Sequence, residues 1–186
     1  DAAQQSRGST PQRFLFGEQL PRGHPKFDEL EKQFRDTWNA TEACPTIQCI
    51  YYVGNGVLEA HHTAYCSSIG NVKVHGKGRS PGNQQRRFHA TTMKCDFKGV
   101  TCSDPSCVVC KIINEGFKVS LNKWSSFGTG LYSTSRSSTA WAYVKQKALP
   151  GKQSMFIVSV ACGIAEVSKE SGALPAGKHS RIVNHS

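Results

Sequence analysis

The chain has 186 residues, 38% apolar and 19% charged, with 17 glycines, a formal net charge of +10 and a pI of about 9.3. That length suits one domain able to bury roughly 70% of the surface its unfolded chain exposes, and the glycine content argues for a loop-rich α/β or β-rich domain over a helical bundle. No apolar run reaches the ~18 residues of a membrane span, and the charge is met either by a solvated basic face or by a polyanionic partner, a phosphate-bearing cofactor or a nucleic acid.

Residues 1–24 carry Gln, Ser, Gly, Pro and Arg around one apolar island, Phe14-Leu15-Phe16, and read as a flexible arm that docks through that island. The first eight residues lack the apolar core of a signal peptide. Pro25 then precedes Phe27, Leu30, Phe34 and Trp38, whose spacing places them on one helical face, with proline and acidic residues where a helix start prefers them. Thr46–Val53 is β-branched and aromatic and predicts a strand ended by Gly54-Asn55-Gly56. Leu58, His62, Tyr65 and Ile69 are spaced as a helix face over Val57–Ile69, stopped by Gly70-Asn71.

Lys73–Gln85 is basic and rich in Gly and Pro, a surface loop. Arg87–Thr91 predicts a short buried strand, Cys107–Asn114 a short helix capped by Gly116, and Gly128–Ser133 a strand and turn. Ser137–Gln146 predicts a helix capped by a serine, Met155–Cys162 a buried strand, and Gly163–Lys178 a turn-rich tail. Asn39-Ala40-Thr41 and Asn184-His185-Ser186 are glycosylation triplets, too frequent by chance to argue for secretion.

Two segments carry the chemistry. Phe127-Gly-Thr-Gly-Leu-Tyr132 combines glycines that let backbone approach a ligand with a tyrosine, and Tyr143 follows beyond a run of hydroxyls. Arg87-Phe-His-Ala-Thr91 carries a histidine between an aromatic and hydroxyls. In their order and spacing, these segments, with Gly116-Phe117 and Leu174-Pro-Ala-Gly-Lys-His-Ser180, resemble the catalytic domain of the poly(ADP-ribose) polymerase family of ADP-ribosyltransferases. The likeness spans most of residues 25–183.

The resemblance implies an α+β fold of split antiparallel β-sheets with flanking short helices, residues 25–186 forming the catalytic domain with its final strand missing. It implies that NAD is the substrate. His89 would bond a ribose hydroxyl, and the Ala90 backbone would meet the nicotinamide amide. Tyr132 would line the nicotinamide pocket and Tyr143 would stack on the ring, with Thr91, Gly128, Gly130 and Ser138 completing the site. His89 and Tyr132 are the catalytic candidates. A flat cationic ring gains from aromatic faces, and cleavage of the glycosidic bond develops oxocarbenium character that the pocket must stabilise.

Three departures limit the expectation. Ala90 stands where the family often has Gly, and Ala140 where many relatives have a Ser that bonds the amide, with Ser137 or Ser138 as substitutes. The glutamate of polymerising members lies on a strand beyond the Lys-His-Ser signature, and Glu166 and Glu170 both precede that signature. The expected activity is therefore mono-ADP-ribosylation of a protein or nucleic-acid acceptor, with a catalytically weak or inactive module that binds NAD, ADP-ribose or a protein as the alternative. Plain NAD hydrolysis needs the same pocket with water as acceptor. The acceptor is not identified, although the basic stretch Lys73–Arg87 suits an acidic protein or a nucleic acid. A monomer in an intracellular setting is expected.

Cys95, Cys102, Cys107 and Cys110 fall within 16 residues, and Cys107-Val-Val-Cys110 has the spacing that presents two thiolates to one zinc ion. A structural zinc, reduced thiols, and one or two disulfides all remain open here. The cluster resembles cysteine-rich inserts of fungal members of the family. Cys44, Cys49, Cys66 and Cys162 lie in core-like segments and are expected to be inert.

Overall fold

A computed structural model describes residues 15–72, 78–119, 127–145 and 153–183. It is an α+β domain of four helices and three two-stranded sheets among the described residues. Strand β1 (Leu15–Leu20) pairs antiparallel with β2 (Ile50–Asn55). Residues 15–20 therefore form a strand where the sequence suggested a flexible arm docking only through Phe14-Leu15-Phe16; the register with a β-branched, aromatic partner outweighs the polar composition around them. Residues 1–14, with most of the expected arm, lie outside the described residues, as do 73–77 of the basic loop and the sequon at Asn184.

Helix α1 (Pro25–Asp36) begins as its sequence predicts. Pro25 occupies the first turn, and the His24 ring accepts from the Lys26 N–H at 3.1 Å. Its buried face carries Phe27 and Phe34. Trp38 lies beyond the Thr37 cap, yet its ring packs on Phe34 (5.8 Å) and on Trp141 (6.1 Å). Glu29 joins α1 to the next long strand through Arg86 at 2.6 Å, and bonds from Lys26 and Arg86 hold its carboxyl down to about 2.

Helix α2 (Gly56–Ile69) is capped by Asn55 and ends at Gly70. Its buried side chain is Cys66, while Tyr65, expected on the inner face, is exposed. Strand β3 (Gln84–Thr92) is longer than the segment predicted, because its antiparallel partner β4 (Gln153–Ala161) extends the ladder from Gln84↔Ala161 to Thr92↔Gln153. Between them in sequence lie α3 (Val108–Glu115) and α4 (Ser137–Lys145). Gly116 caps α3 at φ 76°, a conformation other residues adopt reluctantly.

The segment 128–133 forms bends (128–130) and irregular backbone (131–133) rather than the expected strand, and it meets β3 at the Tyr132 carbonyl and at the adjacent Thr134–Phe88 bridge. Two glycines flanking a threonine favour irregular backbone over a ladder. The tail predicted to be turn-rich over Gly163–Lys178 contains β5 (Ala165–Val167), which pairs parallel with β6 (Ser180–Ile182) beyond it.

The β3–β4 ribbon separates two cores. Phe88 joins Phe34 and Ala140 on one face, with Ala90, Met155 and Ile157 against them. Phe156 joins Cys107, Val109, Cys110 and Ile113 on the other. The alternation of a pleated strand sends neighbours 88 and 89, or 156 and 157, to opposite sides. Each fully buried aromatic contributes roughly 1.5–3 kcal/mol of transfer free energy.

Candidate functional site

His89 sits on the α3 side of the ribbon, directly across the ladder from Phe156. Its ring meets Phe117 edge-on at 4.9 Å, and Phe117 in turn meets Phe156 at 6.1 Å. On its other side, His89 Nδ1 lies 2.8 Å from the Tyr132 carbonyl. A carbonyl only accepts, so Nδ1 carries the proton in that bond, and the neutral ring then offers Nε2 as an acceptor. The Phe88–Thr134 bridge, with N···O distances of 2.7 and 3.0 Å, fixes the 132–134 segment at this position.

His89, Phe117 and Tyr132 line a half-open cavity of about 270 Å³ together with His62, Tyr65 and Leu131. It is small for a drug-sized ligand, whose pockets run roughly 300–1,000 Å³. Its size suits one ring-sized group. Among the described residues, five rings and no carboxylate line it, which favours a flat or cationic group held by aromatic edges and faces.

The structure brings together only some of the expected site. His89 and Tyr132 share the cavity; Tyr132 is partly exposed and its hydroxyl donates to the Gly128 carbonyl at 2.6 Å. Tyr143 is 66% exposed on α4 and does not line the cavity. Ala90 and Ala140 pack in the core on the opposite face of β3. Thr91 uses its carbonyl to accept from Ser154, and Ser138 is buried with its hydroxyl on Asn39. Ser137, offered as a substitute for the missing serine, is fully buried and donates to the Phe34 carbonyl at 2.6 Å. Gly128, at φ 97°, gives close backbone approach, but towards Gly172 of its own chain. Sequence reasoning missed Phe117, His62 and Tyr65 as cavity walls. Phe117 entered only through the Gly-Phe pair, and the helical spacing assigned His62 and Tyr65 to a core face.

A larger cleft of about 2050 Å³ separates the β1–β2 sheet from the β3–β4 ribbon, and its lining includes Phe117 but neither His89 nor Tyr132.

The four clustered cysteines converge. Cys95 follows β3, Cys102 lies in the next loop, Cys107 caps α3 and Cys110 is in its first turn, and all four sulfurs lie within 4.8 Å of one another. Cys95 Sγ is 3.5 Å from Cys110 Sγ and 3.8 Å from Cys107 Sγ. Burial disfavours the thiolate at Cys107, but the backbone N–H groups of Lys94 and Cys110 and the neighbouring thiols outweigh it and bring this thiol down to about 6. Burial drives the Cys110 and Cys95 thiols up. The arrangement could hold a metal ion.

The remaining thiols are less uniform than the sequence suggested: Cys66 and Cys162 are buried, whereas Cys49 is exposed because it precedes β2 in an irregular stretch. No helix among the described residues is long and apolar enough to cross a membrane.

A scan against protein-family models gives no match, and a search of curated proteins gives no relative.

Proposed function

We propose that the domain binds NAD at the His89 cavity and acts as an ADP-ribosyltransferase of the mono-ADP-ribosylating type, in the manner of the poly(ADP-ribose) polymerase family. The observation that carries this reading is the convergence of His89 with Tyr132 and Phe117, three residues from separate segments, around one ring-sized cavity. His89 is held through Nδ1, so Nε2 is free in geometry to accept from a ribose hydroxyl. The rings of Tyr132 and Phe117 would flank the nicotinamide. In the reaction the bond between nicotinamide and ribose C1′ breaks, its electron pair leaves with neutral nicotinamide, and an acceptor nucleophile bonds C1′ and releases its proton to solvent. The cavity's part is orientation and exclusion of water, the terms that well-placed reactants gain most from.

A second reading, a module that binds NAD or ADP-ribose with little turnover, is favoured by two observations: among the described residues no carboxylate lines the cavity, and Tyr143 stands outside it.

Incubating the protein with labelled NAD tests both. A mass gain of one ADP-ribose on the protein or an added acceptor, lost in His89→Ala, is the result expected of the transferase. Calorimetric NAD binding without adduct or nicotinamide release would assign the binding module, and nicotinamide release alone would assign hydrolysis. Absence of NAD binding, with His89→Ala unchanged from the parent, would remove the assignment altogether.

A further inference from the structure

We propose that Cys95, Cys102, Cys107 and Cys110 hold one Zn²⁺ as a structural tetrathiolate, and that the ion braces the Phe117 wall of the His89 cavity. With Zn–S bonds of roughly 2.3 Å, a tetrahedral site separates its sulfurs by about 3.8 Å. The 3.8 Å separation matches that value and the 3.5 Å separation is slightly shorter, and all four sulfurs fall within 4.8 Å. The thiols are not paired two by two, as a pair of disulfides would require; each is a free cysteine. A set of four sulfur donors selects zinc or iron over magnesium, calcium or manganese, and a closed set of four protein ligands is the structural rather than the catalytic form.

The surroundings suit the ion. Cys107 and Cys110 are inaccessible to solvent, with 0% and 1% exposure, so water does not compete for the coordination positions. The Cys102 N–H points to Cys110 Sγ at 3.3 Å, a donor placed to stabilise a metal-bound thiolate. Lys94 and Lys111 flank the ligands in sequence, while Lys98 is paired with Asp96 at 3.3 Å. Binding releases to solvent one proton from each ligand that is still a thiol, and no redox change is involved.

The bracing follows from connectivity. Cys107 and Cys110 start α3, and Gly116 and Phe117 end it two turns later. The short helix has only Val109, Cys110 and Ile113 buried, too little apolar area to fix its axis strongly by itself. Thr101 ties the ligand loop to Asn114 at 3.0 Å, at the same end as Phe117. Clamping both the start of α3 and that loop therefore fixes where Phe117 meets His89. This inference stands on the cysteines and α3, independently of what the cavity binds.

The test uses the intact chain, purified under reducing conditions. Elemental analysis should give one zinc per chain, and replacement by Co²⁺ should give the visible absorption of tetrahedral cobalt thiolate. Cys102→Ser should drop zinc well below one equivalent, whereas Cys49→Ser, outside the cluster, should keep it. Less than about half an equivalent of zinc with four reactive cluster thiols, disulfides in the cluster, or iron in place of zinc would each overturn the site. If Cys102→Ser fails to fold, chelator titration of the parent protein decides instead: zinc removal should expose four additional thiols to a thiol reagent and shift the His89 ring resonances. Resonances that stay fixed after zinc removal would refute the bracing.

Discussion

Ser137 shows how a side chain that reads as available is already committed. Its hydroxyl donates to the Phe34 carbonyl at 2.6 Å and accepts from Thr37 Oγ1 at 3.1 Å, so it joins the end of α1 to the start of α4. The residue is completely buried. Removing one partner of a buried hydrogen bond costs about 1–3 kcal/mol, so Ser137→Ala should lower the urea midpoint by a corresponding amount. NAD affinity at the proposed site, measured by calorimetry, should stay within error of the parent; a fall in affinity with unchanged stability would return the hydroxyl to the ligand site. The residue type was legible in the sequence, but its partner was not. Phe34 lies 103 positions away, and no local pattern connects the two. His89 was marked as a candidate by its motif, while its contacts with Tyr132 and Phe117 come from the fold.

At the scale of elements, Asn55 joins three of them. It ends β2, its Oδ1 accepts from the Leu58 N–H at 3.3 Å to cap α2, and its Nδ2 donates to the Ile113 and Asn114 carbonyls at the end of α3. The end of β2 was readable from Gly54-Asn55-Gly56, while the cap on α2 and the reach to α3 were not, because they depend on how the elements pack. Asn55→Asp separates the roles. It keeps the acceptor that caps α2 but cannot donate to α3, and it sets a carboxylate against two carbonyls. We expect Asn55→Ala to cost about 1 kcal/mol for the cap alone, and more with the α3 carbonyls left open. Asn55→Asp should retain α2 protection in hydrogen exchange while the amides at the end of α3 exchange faster. Equal loss of protection in both helices would show that Asn55 does not act on them separately. The irregular course of 128–133 and the pairing of β5 with β6 escaped the sequence for a related reason. Short irregular segments take their form from what they pack against, as Arg181 illustrates by binding Glu166 and the carbonyls of Phe127, Glu170, Gly172 and Ala173.

For the whole molecule, the β3–β4 ribbon is a partition with a different task on each face. Phe88, 1% exposed, belongs to the face that closes the core with α1 and α4, and its ring meets Phe34 edge-on at 6.4 Å. Phe156 belongs to the face shared by the cysteine cluster, Phe117 and His89. Truncating a fully buried phenylalanine costs about 3–5 kcal/mol, a large part of the ~5–15 kcal/mol that holds a domain folded. Phe88→Ala should therefore lower global stability most. In whatever fraction remains folded, the His89 ring resonances should be close to those of the parent. Phe156→Ala removes a partly buried ring and should cost less in urea denaturation. It should nevertheless move the His89 resonances more, because Phe117 then loses one of its two ring contacts. Comparing the two variants by denaturation and by histidine NMR measures whether stability and site geometry are carried by separate faces. If Phe88→Ala perturbed the His89 ring of the folded protein as strongly as Phe156→Ala did, the ribbon would not act as a partition, and the cavity's geometry would depend on the whole core.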